Sequence, residues 1–241
     1  MVSAMSKLAR IYIGLTIASA AILIAACAAD AVAMPHSARY LGCCLLALAA
    51  STLKVRLPGI HGTISLNFLF VLIAVAAFAF SETVLLAALA CLLQCFWKAR
   101  RRPRAVQVAF NVSALALSSG VAYRFGHLAA KGGEPALAIL LAVGSCVYFT
   151  SNTLLVSGVL ALIERKSLFG IWRECYLWSF PYYLAGAALA GLMVSTGRTA
   201  GWAASLMTLP SILLVYVFYR IFVARFGGAE SPPPSPALSS R

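Results

Sequence analysis

Long stretches with almost no charge constrain this chain more than any other feature of its sequence. These runs are continuous, rich in Ala and Leu, and comparable to the roughly 20 residues that a helix needs to cross a bilayer. Inside lipid the backbone must satisfy its own hydrogen bonds, so only helices or closed barrels can cross. The apolar runs do not alternate with polar residues, which excludes a barrel. The sequence therefore predicts an all-α, polytopic membrane protein.

The apolar runs divide into eight predicted transmembrane helices, some of them short for a straight crossing. One helix over residues 66–97 would be about 48 Å long, well beyond a hydrocarbon core of about 30 Å. Ser81, Glu82 and Thr83 place a charge and capping side chains in this stretch, so we expect two helices and a tight turn. A re-entrant pair is the alternative. The predicted helices cover 11–29, 38–53, 66–80, 83–97, 106–127, 136–162, 178–196 and 202–223.

The basic residues indicate how these helices are oriented. Cytoplasmic loops of membrane proteins carry an excess of Lys and Arg. With eight crossings and both termini in the cytoplasm, fifteen of the 19 Lys and Arg residues fall inside. The four residues left outside are Arg39, Arg124, Lys131 and Arg198. This bias predicts a multi-pass protein whose two termini are both cytoplasmic.

The two ends of the chain carry separate signals. Ile24–Cys27 fits a lipoprotein cleavage box, and Ala31–Ala33 fits an ordinary signal-peptidase site. Because Ala is so common here, such matches also arise by chance, and the sequence leaves both a cleaved signal and a retained helix open. After Phe226 the chain becomes rich in Gly, Pro and Ser. We expect residues 1–226 to form the membrane domain and 227–241 a disordered cytoplasmic tail.

Polar side chains within or beside the predicted helices are candidates for a ligand site. They are costly inside a membrane, so each indicates either a function or a hydrogen bond between helices. The amides lie towards the cytoplasmic side, where they could together line a polar pocket. Interhelical hydrogen bonding is the competing interpretation. The candidate ligand-binding residues are Asn67, Gln94, Gln107, Asn111, Asn152 and Glu174.

Residues 172–186, WRECYLWSFPYYLAG, precede the seventh predicted helix with an Arg–Glu pair, several aromatic residues and a proline. Their place beside the cytoplasmic surface predicts an interfacial helix over 167–177, with aromatic side chains at the lipid headgroups. Pro181 is expected either at the N-terminus of the seventh helix or at a kink.

Within the same segment, Arg173 and Glu174 are neighbours in sequence and therefore point to different faces of a helix. We expect Arg173 to meet lipid phosphate and Glu174 to face the bundle. Glu174 is the functional candidate of this segment, with Tyr182 and Tyr183 one step deeper.

The segment KARRRPR (98–104) forms a strongly basic loop after the fourth predicted helix. We expect it to set the topology and to attract anionic lipid headgroups. The net charge of +13 could suggest nucleic acid, but no aromatic or groove-reading element stands beside this loop, so we expect no nucleic-acid binding. The basic residues of the loop are Lys98, Arg100, Arg101, Arg102 and Arg104.

Metal, cofactor and catalytic motifs are missing from the sequence. There is no CxxC pair, the three His residues are isolated, and most of the seven Cys residues lie in apolar runs. We find no nucleophile elbow, HExxH, Walker loop or dinucleotide fingerprint. With 62% hydrophobic and 10% charged residues, the chain is also too apolar for a soluble enzyme domain. We therefore expect a non-catalytic membrane protein without a metal or cofactor.

Three stretches resemble a known class of membrane region: KVRLPGIHGTISLNFLFVLIAV, FWKARRRPRAVQVAFNVSALALS and NTLLVSGVLALIERKSLFGIWRECYLWSFPYYLAGAALAGL. They are similar to the N-terminal multi-span sensor region of bacterial signalling proteins, which precedes a cytoplasmic HD-type phosphohydrolase or GGDEF diguanylate cyclase domain. The resemblance implies a sensor or input module in the bacterial inner membrane. No HD pair or GGDEF sequence follows the last predicted helix, so the output activity does not carry over.

Two functions follow as expectations. The first is a stand-alone sensor or scaffold that binds a small or lipidic ligand and signals to a cytoplasmic partner. The second is a small-molecule transporter, or its substrate-binding subunit, which short helices, intramembrane amides and the Pro/Gly-broken segment 57–65 would suit. Small residues also permit either close helix packing or a homodimer, namely Gly186, Ala187, Ala190 and Gly191.

Overall fold

The computed structural model describes residues 6–33, 38–56, 63–97, 102–132 and 136–207, with a few further positions between 210 and 221. In these parts the chain forms helices and one short antiparallel ribbon. The elements are α1 (Lys7–Ala33), α2 (Ala38–Ser51), β1 (Lys54–Arg56), β2 (Thr63–Ser65), α3 (Asn67–Ala77), α4 (Phe80–Phe96), α5 (Ala105–Ala129), α6 (Ala136–Glu164), α7 (Leu168–Cys175), α8 (Phe180–Thr199) and α9 (Trp202–Leu206).

The helical prediction is confirmed, because seven of the eight predicted segments coincide with a helix to within a few residues. Of the eighth predicted helix, residues 202–223, the structure describes α9 at its start and only a few positions beyond it. The tail 227–241 lies outside the described residues. An element that the sequence did not predict is the ribbon β1–β2, in which Val55 pairs with Ile64. It flanks the broken segment, whose residues 57–62, including His61, also lie outside the description.

Residues 167–181, before and at the start of the seventh predicted helix, form the helical elements that the sequence predicts. The helix α7 occupies the place of the predicted interfacial helix, and a short 3₁₀ turn at Leu177–Ser179 leads from it into α8. Pro181 lies in the first turn of α8, where its missing N–H has no helical partner to lose.

Helix length supports fewer crossings than the sequence predicts. In the described parts, three helices are long and apolar enough to span a membrane: Lys7–Ala31, Ala105–Ala129 and Ala136–Glu164. The helices α2 and α4 have 14 and 17 residues. The 11 residues of α3 rise by only about 17 Å, little more than half of a hydrocarbon core. The fold is therefore that of a helical membrane protein with three candidate spans.

The shortest of these apolar helices, α3, lies at the centre of the bundle. Every residue from Asn67 to Ala76 is buried, and α2, α4, α5, α6 and α8 all contact this helix. Its sequence carries no charge and is apolar on nearly all sides, as expected of a helix that is buried in a core or spans a membrane. The longer helices enclose it and expose their own apolar residues outward, as Leu184 and Leu192 of α8 do.

The turn between α3 and α4 lies at Phe78 and Ala79, slightly before the predicted Ser81–Thr83. The predicted capping role of Glu82 is confirmed, since its carboxylate accepts a hydrogen bond from the Ala79 N–H at 3.0 Å. A Glu at the third helical position reaches back to the N-cap, so the capping residue belongs to the helix rather than to the turn. This geometry explains the shift of the turn.

Two hydrogen bonds from other helices support the same turn. The Tyr40 hydroxyl of α2 donates to the Glu82 carbonyl at 3.1 Å. The Arg198 guanidinium, in the last turn of α8, donates to the Ala76 carbonyl at 3.3 Å. The second bond satisfies a carbonyl at the C-terminus of α3, where a cation also interacts favourably with the helix dipole. The end of α8 therefore lies beside the end of α3.

These contacts define two ends of the bundle. Tyr12 of α1 packs against Phe110 of α5, with ring centroids 6.4 Å apart, so both helices begin at the same end. The segment 98–104 joins α4 to α5 there, and we call this the basic end. The opposite end, called the far end, holds the α3–α4 turn and Arg198.

The small residues of α8 are used for packing inside the chain. Gly186 is buried, and a Cβ atom at this position would overlap the Phe68 ring of α3. Ala187 and Ala190 are buried beside it. A Cβ at Gly191 would lie 3.3 Å from Leu141 of α6. The stripe therefore seats α8 against the central helix and against α6.

We predict that Gly186→Ala destabilises the protein by about 1–3 kcal/mol, because the added methyl group forces Phe68 out of its position. Thermal unfolding of the purified protein in detergent micelles would measure the loss. Gly14→Ala in α1 is the matched control, since nothing lies within 4 Å of a Cβ there. Equal stability of the two variants would contradict the assigned packing.

Candidate functional site

Two of the candidate amides meet at the basic end of the bundle. The Asn67 Nδ2 at the start of α3 donates to the Gln94 Oε1 near the end of α4, at 2.9 Å. Asn67 is only 4% exposed, so this bond is shielded from solvent. The pair ties the first turn of the central helix to the last turns of its neighbour, although the residues are 27 positions apart.

A second contact continues from α4 to α5. The Asn111 Nδ2 lies 3.8 Å from the Cys95 Sγ, within the reach of a weak hydrogen bond to sulfur. Cys95 directly follows Gln94, so consecutive residues of α4 contact α3 and α5. The four side chains form a band, defined here as the amide band: Asn67, Gln94, Cys95 and Asn111.

Asn152, in α6, differs from the band because its Oδ1 atom is buried and has no hydrogen-bond partner among the described residues. The hydroxyl groups of Ser118 in α5 and Ser157 in α6 are in the same condition there. An unsatisfied polar group is costly in a membrane. These three oxygen atoms are therefore the groups of the α5–α6 pair that could still bind a ligand.

Thr153, the residue after Asn152, both accepts and donates a hydrogen bond through its hydroxyl group. The Trp172 Nε1 of α7 donates to the Thr153 Oγ1 at 2.9 Å, and the Thr153 hydroxyl donates to the Phe149 carbonyl at 2.6 Å. Trp172 is half-buried, with its ring centroid 6.3 Å from that of Phe149. Its bond attaches α7 to α6 beside Asn152. That its ring also lies at the depth of the lipid headgroups, as the sequence predicts, stays a prediction.

Aromatic rings fill the space between α3, α6 and α8. Both Tyr182 and Tyr183 are buried, and their ring centroids lie 5.0 and 4.7 Å from that of Phe68. The Tyr183 ring also contacts Phe149 at 5.1 Å and Tyr148 at 6.2 Å. Such pairs add packing energy beyond burial alone. This cluster links the start of α3 to the α7–α8 segment, so its two tyrosines serve the core.

The remaining candidates are not brought into this group. Gln107, at the start of α5, is exposed. Glu174 lies in α7, but its side chain is outside the described residues. Arg102 and Arg104 are exposed beside the start of α5. Lys98, Arg100 and Arg101 also lie outside the description.

The chemistry that these groups offer is hydrogen bonding. Among the described residues no group of three His, Cys, Asp or Glu side chains could hold a metal ion. In the same part of the chain six cysteines are free of disulfide bonds. The site is built from amides, hydroxyls and a thiol, which suit a neutral polar ligand or a lipid headgroup better than a charged transition state.

Two contacts had no signal in the sequence that we could recognise. The Thr153–Trp172 bond joins residues 19 positions apart in a stretch rich in both polar and aromatic residues. The sequence indicated only that Arg198 lies on the outer side of the membrane. In the structure its guanidinium bonds to the last turn of the central helix α3. For Cys95 the sequence offered its spacing of four residues from Cys91, which core packing explains better than redox chemistry does.

Comparison with known families gives one match. The MASE9 profile, which represents a family of membrane-associated sensor domains, matches residues 38–185 and so covers more than half of the chain. The matched range begins with α2 and ends early in α8. It includes the whole amide band, Asn152 and α7. No curated protein and no solved structure matches the chain.

We predict that the Asn67–Gln94 bond contributes about 0.5–2 kcal/mol of coupling energy, as expected for a polar contact between helices in a membrane. A double-mutant cycle with Asn67→Leu and Gln94→Leu would measure it from the unfolding of the purified protein in micelles. Pairing Asn67→Leu with Ser195→Leu, an exposed position on α8, should give additive effects. Additivity in the first cycle as well would show that the bond does not form.

Proposed function

The chain belongs to the MASE9 family of membrane-associated sensor domains, and on this basis we propose that it is a non-catalytic input module. In this proposal a small or lipidic ligand binds among the helices near the basic end, and the bound state passes to a cytoplasmic partner. The family supports the sensor role. The arrangement of polar side chains supports the place of the ligand and the route of the signal.

One observation carries the proposed route. The basic segment 98–104 is bracketed by the amide band, because Gln94 and Cys95 precede it and Asn111 follows it. A ligand that alters these contacts would shift the end of α4 relative to the start of α5. The segment between them would then move, and it is the most highly charged surface that a partner could meet. A ligand shifts such an equilibrium only by binding the two states differently.

The ligand would exchange hydrogen bonds with groups that have no other partner. Asn152 Oδ1 is the central candidate, because it can accept a bond and the described residues supply none. Thr153 beside it holds Trp172, so a change at Asn152 would also reach α7. We propose that the ligand site comprises Asn152 together with Asn67, Gln94 and Asn111, whose existing contacts the ligand would alter. Glu174 of α7 lies close in sequence to Trp172.

We propose eight crossings with both termini in the cytoplasm of a bacterial inner membrane. The two ends of the bundle support this orientation through their charges. Lys7, Arg10 and the segment 98–104 belong to the basic end, whereas Arg124 and Arg198 belong to the far end. Basic residues favour the cytoplasmic side. The short helices α2, α3 and α4 would cross where the bilayer is locally thinned.

A transporter, or its substrate-binding subunit, is the second candidate. The observation that favours it is the interrupted pair α3–α4, with a turn at Phe78 and Ala79 and the Asn67–Gln94 bond at the opposite end of α3. Interrupted helices of this kind form binding sites in secondary transporters. Uptake of solutes by vesicles, compared with an Asn111→Leu variant, would distinguish the two functions.

We predict that the basic end contacts a partner in a ligand-dependent way. A photo-cross-linking amino acid at position 104 of the full chain, expressed in bacterial membranes, should give an adduct, while the same amino acid at position 131 should not. Asn152→Leu should change the yield at position 104 several-fold, because it removes the unpaired acceptor.

The control for this experiment is Thr150→Leu, which lies on the exposed face of the same helix and should leave the yield unchanged. The same adducts at both ends, or a yield that does not respond to Asn152→Leu, would contradict the proposed function.

We also predict the outcome of cysteine labelling in intact cells. In a background with all seven native cysteines replaced, Lys131→Cys should react with a membrane-impermeant maleimide. Lys7→Cys and Arg225→Cys should react only after the membrane is opened, since both termini lie in the cytoplasm. Labelling of position 225 from outside would imply an odd number of crossings.

A further inference from the structure

An open groove runs along the outside of the bundle between α1, α4 and α5, separate from the amide band. Its volume is about 480 Å³, far more than the roughly 30 Å³ that one water molecule occupies. Ile17, Ala21 and Ile24 of α1 form one wall. Leu92 and Phe96 of α4 form another. The lining is almost entirely apolar, which suits a hydrocarbon chain.

The α5 wall extends the groove to the basic end. Ala105, Ala109 and Val112 lie on one stripe of this helix, and Pro103 closes the groove just before the helix begins. Their small side chains leave the space open. Ser113 is the one polar residue among those that line the groove. The groove therefore begins at the level of the basic segment and runs towards the middle of the bilayer.

The wall formed by α1 continues in the same direction. Arg10 and Gly14 precede Ile17 at helical spacing, so they share the stripe of Ile17, Ala21 and Ile24. Nothing lies within 4 Å of a Cβ at Gly14, so the open surface reaches as far as this turn. From Arg10 to Ile24 the stripe is about 21 Å long, somewhat more than one leaflet of hydrocarbon.

The mouth of the groove is positively charged. Arg102 and Arg104 stand on either side of Pro103, and both side chains are exposed, as is that of Arg10. At this end of the bundle the structure describes one acidic side chain, that of Glu164. Its carboxylate forms a salt bridge with the Lys166 Nζ at 3.0 Å. Within the described residues, the three guanidinium groups at the mouth therefore face no competing carboxylate at salt-bridge distance.

We propose that this groove is a binding site for one anionic phospholipid. An acyl chain lies along α1 and α5, and the phosphate group contacts Arg102, Arg104 and Arg10. Guanidinium groups bind phosphate through paired hydrogen bonds as well as charge, which gives preference over a zwitterionic headgroup. The inference does not depend on the proposed function, because lipid retention requires neither a sensed ligand nor a partner.

The lipid would matter to the bundle because its chain fills a gap between three helices. The groove residues Leu92 and Phe96 flank Gln94 and Cys95 on α4, while Val112 follows Asn111 on α5. An acyl chain in the groove therefore packs against both helices that bracket the basic segment. The same phosphate neutralises part of that segment.

Native mass spectrometry of the delipidated full chain tests the site. The protein in mild detergent is incubated with equimolar phosphatidylglycerol and phosphatidylcholine of identical acyl chains. The wild type should retain one phosphatidylglycerol in clear preference. The double variant Arg102→Gln/Arg104→Gln should lose about tenfold of this preference, on the scale that basic residues contribute near anionic lipid. The charge-matched control Arg39→Gln/Lys131→Gln, with both changes at the far end, should keep it.

Filling the groove separates chain binding from headgroup binding. Ala109→Phe should abolish retention of either lipid, and Ala21→Phe, at an exposed position, is the alternative if the first variant fails to fold. Ala188→Phe, on the exposed face of α8, should retain phosphatidylglycerol like the wild type. Equal retention of both lipids by the wild type, or unchanged retention after the groove is filled, would overturn the proposal. Failure of the cross-linking experiment at position 104 would instead affect only the sensor function.

Discussion

The structure depends on one constraint: a peptide group inside a bilayer has no water to replace a missing hydrogen bond. The constraint matters most at Phe78 and Ala79, where α3 ends after 11 residues and backbone groups at the helix ends need partners outside the helix. The Glu82 carboxylate satisfies the Ala79 N–H, and Arg198 satisfies the Ala76 carbonyl. Tyr40 adds a bond to the Glu82 carbonyl. The turn between α3 and α4 is thereby held in place by the start of α2 and the end of α8.

A short central helix has consequences at its other end. Because α3 is enclosed along its whole length, its first turn lies among neighbouring helices, and Asn67 must find a partner there. Gln94 supplies it, and the aromatic rings around Phe68 complete the enclosure. Gly186 leaves the space that Phe68 occupies. The polar contacts of the candidate site are therefore a product of how the central helix is buried, and any ligand that alters them acts on the core.

Much of this could be predicted from sequence because it depends on local properties. Apolar runs locate the helices, since burial in lipid needs no particular partner. Glu82 was recognised as a cap because its partner lies three residues away. The position of the turn was placed too late for a related reason: a capping carboxylate can act from inside the helix. Asn67, Gln94 and Asn111 were marked as candidates by polarity alone, but polarity does not name the partner.

The sequence by itself determined that this chain is helical, belongs in a membrane and carries its basic residues mainly in one set of connecting segments. These properties follow from hydropathy and charge, which act residue by residue. Only the tertiary structure decided that α3 is enclosed and that Trp172 bonds to Thr153. It also showed that Asn152 Oδ1 has no hydrogen-bond partner among the residues that the structure describes. It also decided that Ile17 and Ala109, far apart in sequence, line the same groove. Such pairings depend on the rotation and depth of each helix, and packing against several neighbours sets both at once.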